Sequence, residues 1–272
     1  MKIAMITGPS SGIGMATALE LAKRGYHIVA AGRSEERTIE VVETIEQNGG
    51  AAEYLHLDLA SLTSAEKAAK AFVDSGRSLD VLINNAGVGT VWGQTDDGFE
   101  IHFGVNHLGH FMLTHHLRPS LRPGSRIVVV SSEAHRGARG INFDKLQRRT
   151  GLFDVLGAYN VSKLANILFA RRLAQLQPEW RTYSLHPGVA DTKIFPAMVK
   201  PFLGNLETPE EAAQTSLWCA TSDEIADQSG LYYSRMTLRD PSPAAQDDDL
   251  AVELWRRSVQ WCGINGYLPE RE

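Results

Sequence analysis

The sequence predicts a single doubly wound α/β domain, a parallel sheet of about seven strands with helices on both faces. Three observations predict it. Short apolar runs rich in Val and Ile recur along the chain with little polar interruption, as strands buried on both faces require. Amphipathic segments of helical length alternate with those runs. A glycine-rich turn joins the first run to the first amphipathic segment.

Taken in order, "KIAMIT" (2–7) is the first strand and leads through "TGPSSGIG" (7–14) into a helix over 13–24 that stops at Gly25. "HIVAA" (27–31) is the second strand; a helix over 35–48 follows, with Ser34 as N-cap and Gly49 at its close. Further strands fall at 53–57, 80–84, 126–131, 181–185 and 230–234. The acidic run Asp247–Asp249 suits the dipole at the start of a last helix, which Trp255 and Trp261 are expected to anchor to the core. No Ser/Pro/Gly-rich linker and no repeat divides the chain. Residues 1–272 therefore read as one domain with a helical extension over about 243–263.

Composition narrows the function. With 43% apolar and 22% charged residues the chain is an ordinary globular one, and a net charge of -5 leaves no footprint for nucleic acid. The apolar start is interrupted too early for a signal peptide or a membrane anchor. Cys219 and Cys262 form neither a ligand pattern nor a disulfide framework, so a cytoplasmic, reducing setting is expected. His102, His107, His110, His115 and His116 crowd one stretch, but no carboxylate or cysteine completes a metal set.

In the turn, Gly8, Gly12 and Gly14 allow a tight bend and close backbone approach, and the helix start offers unpaired N–H groups to a pyrophosphate. The spacing is G-x-x-x-G-x-G rather than G-x-G-x-x-G. Together with "NNAG" (84–87), the Ser131–Ser132 pair, Y-x-x-x-K at 159–163 and "HPGVADT" (186–192), this order resembles the short-chain dehydrogenase/reductase family, a Rossmann-fold group. "FGVNHLGHFMLT" and "YNVSKLANILFARRLA" are most like its retinol-dehydrogenase-like branch, as is the long spacing of 27 residues (159 − 132) between Ser132 and Tyr159. The residues between them read as an inserted surface excursion.

The resemblance implies a hydride exchanged between a nicotinamide and an alcohol or carbonyl carbon. Tyr159 is then the acid/base, with its phenol lowered by the Lys163 cation one helical turn on. Ser132 polarises the substrate oxygen, Ser131 being the alternative of the pair, and Asn106 holds a relay water. Around the cofactor stand Gly8, Ser10, Ser11, Gly12, Ile13 and Gly14; Asp58 and Leu59 at the adenine; Asn85, Ala86 and Gly87 at its ribose; and Pro187, Gly188, Val189 and Thr192 near the nicotinamide. Gly32 followed by Arg33, in place of a carboxylate, favours NADP(H) over NAD(H), although Arg33 also suits an exposed capping role and Ser11 supplies no second cation.

Residues 189–208 are read as a flap whose Ile194, Phe195, Met198, Val199, Phe202 and Leu203 cover an apolar small-molecule substrate or pack on a neighbour. Val91, Trp92 and Phe153 are candidates to extend the pocket. The resemblance also implies a homodimer or homotetramer paired through helices near 99–117 and 159–177. The rival readings are an NADP(H)-binding redox sensor without turnover, which the intact Tyr159 and Lys163 disfavour, and a sugar-nucleotide epimerase or dehydratase, which the glycine spacing and length disfavour.

Overall fold

The computed structural model describes residues 1–188 and 206–264. Its centre is one sheet of eight strands in the order β3-β2-β1-β4-β5-β6-β7-β8. The strands are β1 (Ile3–Thr7), β2 (His27–Gly32), β3 (Ala51–His56), β4 (Leu79–Asn84), β5 (Leu121–Val130), β6 (Arg181–His186), β7 (Leu231–Ser234) and β8 (Thr237–Leu238). All pairings are parallel except β7 with β8. The eighth strand was not expected: Arg235 and Met236 turn the chain at φ of 52° and 55° without the glycine or asparagine that marks such a hairpin.

Period-two alternation along the strands feeds a separate core on each face. Ala4, Ile6, Ile28, Ala30, Val81 and Ile83 join α1 (Gly12–Lys23), α2 (Glu35–Gln47) and α7 (Pro209–Thr221) on one side. Met5, Val29, Leu82, Ile127 and Val129 face α3 (Leu62–Asp74), α5 (Gly109–His116), α6 (Val155–Leu176) and α8 (Asp248–Trp261) on the other. Before α5 lie a short α4 (Ile101–Phe103) and a π-helical turn, Gly104–Leu108.

The last helix begins as anticipated, with Asp247 as N-cap accepting from the Leu250 N–H at 2.9 Å. Trp255 lies 4.9 Å from Phe111 and stacks on Phe169 at 5.9 Å, while Trp261 packs on Phe99 and Phe103. The face of α5 and α6 expected to pair with a second subunit thus carries α8 of the same chain. The segment between Ser132 and Tyr159 is also more than a surface excursion. His135, Ala138, Leu146 and Thr150 are buried, and Thr150 bonds to the buried Glu100.

Candidate active site

The strand order reverses direction between β1 and β4, and the main cleft, of about 500 Å³, opens at their carboxyl ends. Gly8 turns the chain at φ 67°, and a Cβ there would come within 2.9 Å of the Ala86 Cβ, so the two loops meet only because residue 8 is glycine. Ser11 is the N-cap of α1 but makes no capping bond, which leaves the first-turn amides to the cleft lined by Ser10, Gly12, Ile13 and Gly14. These donors and close approaches fit a bound dinucleotide phosphate.

At the far end, Arg33 and Arg37 both line the cleft and both are exposed. A side chain at Gly32 would run to 2.6 Å from Thr38 Oγ1, so the position closing β2 cannot hold a carboxylate without rearrangement. Ser34 caps α2 by backbone conformation only; its hydroxyl accepts from Arg37 Nε at 3.2 Å. Asp58 and Leu59 form the opposite wall, with the Ala60 N–H donating to Asp58 Oδ1 at 2.9 Å. Asn85, Ala86 and Gly87 cross the floor.

The polar cluster stands where β5 ends and α6 begins its second turn. Tyr159 is buried and shares the cleft wall with the Ser132 side chain. Ser131 does different work: its hydroxyl donates to the Lys163 carbonyl at 2.7 Å, tying β5 to α6. Lys163 Nζ donates to the Val130 carbonyl at 3.1 Å and lies 5.6 Å from the Tyr159 ring centroid. A Cβ on Gly87 would stand 3.2 Å from Asn106 Oδ1 and 3.6 Å from Lys163 Nζ.

The expected lowering of the tyrosine by its lysine is not what this geometry gives. Burial pushes the Tyr159 phenol up to about 12, with the neighbouring Ser132 hydroxyl acting in the opposite sense. The same burial brings Lys163 down to about 8. Desolvation is the leading cause for both groups, and the Lys163 ammonium sits over the Tyr159 ring.

Asn106 lies in the π-turn, buried. Its Oδ1 accepts from the Val88 N–H at 2.8 Å, and its Nδ2 donates to the Val88 carbonyl at 3.0 Å and to Ser162 Oγ at 2.9 Å. Its own carbonyl accepts from His110 Nδ1 at 3.0 Å. With that nitrogen protonated, His110 Nε2 is the acceptor for the Thr7 hydroxyl at 2.9 Å. Thr7 Oγ1 in turn accepts the N–H groups of Asn85 and Ala86, both at 2.9 Å. Burial lowers His110 to about 4, which keeps the ring neutral as this arrangement needs. A buried chain therefore runs from Asn106 through His110 and Thr7 to the loop under the cleft.

Pro187 and Gly188 reach the cleft wall, as does His186, whose buried Nδ1 has no partner among the described residues. Val189, Thr192 and the apolar flap residues 194–203 lie outside the described residues. Val91 borders the cleft; Trp92 and Phe153 are exposed and do not line it. Of the clustered histidines, His102 bonds Glu100 and the Gly89 carbonyl, and His107 bonds Ser258.

Sequence reasoning missed Arg37, Thr7, His110 and the separate work of Ser131. Arg37 was within reach, since it follows Arg33 by one helical turn. The Thr7–His110 contact spans 103 residues and leaves no local signal.

A family model described as short chain dehydrogenase matches residues 2–143. The bovine (Bos taurus) dehydrogenase/reductase SDR family member 13 is 42% identical over 97% of this chain and 74% of its own length. Human (Homo sapiens) retinol dehydrogenase 13 is 39% identical over 97% of this chain and 85% of its own. The crystal structure of an uncharacterized protein from Mycobacterium Paratuberculosis superposes with a TM-score of 0.80 at 34% identity, covering 99% of this chain and 96% of that one. Among the described residues no helix is long and apolar enough to cross a membrane.

Proposed function

This chain belongs to the short-chain dehydrogenase/reductase family, NAD(P)-dependent oxidoreductases of alcohol and carbonyl groups, and on that premise we propose that it is an NADP(H)-preferring enzyme of apolar substrates. The observation that carries the reading is the convergence of Ser132, Tyr159 and Lys163 on the wall of the cleft that begins at the glycine turn and ends at Arg33 and Arg37. A nicotinamide dinucleotide, when bound, supplies or accepts the hydride.

Every other step falls to the chain's own groups. The first-turn amides of α1 hold the pyrophosphate. Arg33 and Arg37 take a 2′-phosphate at the end where Gly32 leaves no room for a repelling carboxylate. In the reducing direction, Tyr159 gives its proton to the substrate oxygen and Ser132 stabilises the charge forming there. Lys163 holds the cofactor ribose and supplies positive charge behind the phenol. Asn106 spends its side chain on Val88 and Ser162, and its carbonyl retains a lone pair for a relay water. The apolar character of the substrate rests on residues 194–203 and on likeness to a protein named retinol dehydrogenase 13. A cytoplasmic setting belongs to the same reading. Assembly as a homodimer or homotetramer would need a surface other than the face under α8.

The test titrates the full chain with NADPH and NADH, then assays apolar aldehydes and ketones. NADPH should bind at least about tenfold more tightly, and Arg33→Ser with Arg37→Ser should erase that gap. Tyr159→Phe should cut turnover by roughly 10²–10⁴-fold with NADPH affinity kept. Equal affinity for the two cofactors removes the NADP(H) assignment, and an active Tyr159→Phe enzyme removes the assigned acid.

A further inference from the structure

The rim of the cleft carries apolar side chains that the described chain leaves uncovered. Phe153 is 98% exposed, Leu156 70%, Leu152 60% and Trp92 55%. They come from two segments fastened together, because Thr150 donates to the Gly93 carbonyl from its N–H at 2.9 Å and from its hydroxyl at 3.3 Å. The patch borders the opening: Thr90 and Val91, just before Trp92, line the cleft, and Leu156 precedes Tyr159 by one turn of α6.

Exposed apolar side chains gathered on two joined segments mark an interaction surface, and the charges beside them indicate the partner. Lys145, Arg148 and Arg149 precede the apolar residues in the same segment. All three are exposed, and none makes an ion pair with a described residue. Between residues 145 and 156 only Asp154 opposes them, so this stretch is cationic within a chain of net charge -5. An anionic surface is drawn to this rim.

A second copy of the chain fits less well. Four protruding side chains fall far short of the roughly 20–30 residues a side that a stable protein interface uses. A copy seated there would also close the way to Tyr159. A lipid surface needs only a few inserted apolar side chains flanked by cations, with an indole at headgroup level.

We propose that residues 145–156 and Trp92 dock this chain on an anionic phospholipid surface. Leu152, Phe153 and Leu156 enter the acyl boundary, Lys145, Arg148 and Arg149 rest among the headgroups, and an apolar substrate passes from lipid to Tyr159 without crossing water. The docking stands without the catalytic reading; the delivery of substrate rests on it.

The experiment is co-sedimentation of the full chain with vesicles of phosphatidylcholine alone and of phosphatidylcholine mixed with phosphatidylglycerol. Wild type should pellet with the mixed vesicles, more weakly with the neutral ones, and less as salt is raised. Phe153→Glu with Leu156→Glu, and separately Arg148→Glu with Arg149→Glu, should each weaken partitioning at least about tenfold. Unchanged thermal melting shows that these variants fold, and the arginine pair carries the test if the apolar pair does not. On mixed vesicles the tryptophan emission should shift to the blue, and Trp92→Phe should remove most of that shift. Failure of wild type to pellet, or equal pelleting by both double variants, overturns the proposal. So does self-association that disappears in Phe153→Glu with Leu156→Glu, seen without vesicle binding, which would make the patch a contact between copies. None of these readouts uses turnover, so an inactive enzyme that docks leaves the docking intact.

Discussion

Tyr159 and Lys163 are displaced in opposite directions by one cause, the burial of both, and those directions set the pH at which each can act. With the phenol held near 12, Tyr159 keeps its proton across the neutral range and is primed to donate it. With the ammonium lowered to about 8, Lys163 loses its charge within reach of ordinary buffers. The reductive kcat/KM should therefore fall as pH rises through about 8, on a limb that belongs to the lysine. Lys163→Arg, if it retains any activity, should lose that limb because guanidinium does not titrate there. A wild-type profile that stays flat to well above that pH would remove Lys163 from the role. At this scale Tyr159 and Lys163 were legible from a spacing of four, as was the Ser131–Ser132 pair. What the sequence could not carry was the sign of the tyrosine's displacement, or which serine meets it, since one needs burial and the other the direction of each hydroxyl.

Among elements, the helix expected near 99–117 shows most clearly what pattern reading leaves out. Its apolar spacing is helical, yet the chain widens into a π-turn at Gly104–Leu108, as such turns often do at functional sites. That turn carries Asn106, and the His110 ring reaches from α5 back to the Asn106 carbonyl and across to Thr7 on β1. Two elements are thereby locked to the loop of Asn85 and Ala86 by one neutral imidazole. Replacing it by His110→Phe should strand buried partners on both sides and cost about 1–3 kcal/mol for each one left unsatisfied. Urea unfolding measures that cost, and an NADPH titration should show weakened binding because the loop has lost its anchor. Full stability with full affinity would reduce the network to coincidence. The opposite kind of omission is β8, where Arg235 and Met236 adopt positive φ against their own preference and give no turn signature. Strands β1, β2 and β4 were legible because burial on both faces writes itself as continuous apolar runs, whereas β3, partly exposed along its length at the sheet edge, was legible from its place between two helical segments.

For the whole molecule, the doubly wound sheet forces several titratable groups into dry surroundings, and their combined displacement shapes stability. Burial lowers His107 to about 3 and both His110 and His186 to about 4. Each folded value lies below the unfolded 6.5, so on acidification the unfolded chain takes up protons first. The histidine contribution is complete above about pH 6.5 and drains as pH falls towards 4, by up to about 1.4 kcal/mol per pH unit for each histidine that stays neutral when folded. Glu100 and Glu133 extend the loss below their ordinary range, because burial, which raises both carboxyls, is outweighed by the hydrogen bonds that hold them lower when folded. On the alkaline side, Lys163 has the same sign between about 8 and 10.5, where the unfolded chain holds the extra proton and stability gains as pH rises. Cys219, Cys262 and Tyr183 are raised by burial, and they reverse that gain once the unfolded thiols and phenols begin to ionise. The expected curve is steep on the acid side and broad around neutrality. Urea midpoints should drop markedly between about pH 6.5 and 5. His107→Phe, which removes the titrating ring from the aromatic cluster of Phe103, Phe111 and Phe169, should flatten the acid limb. Midpoints that hold steady across that interval would mean that the buried rings gain protons in the folded chain, and the dry interior inferred around the two histidines of α5 and its π-turn would be wrong.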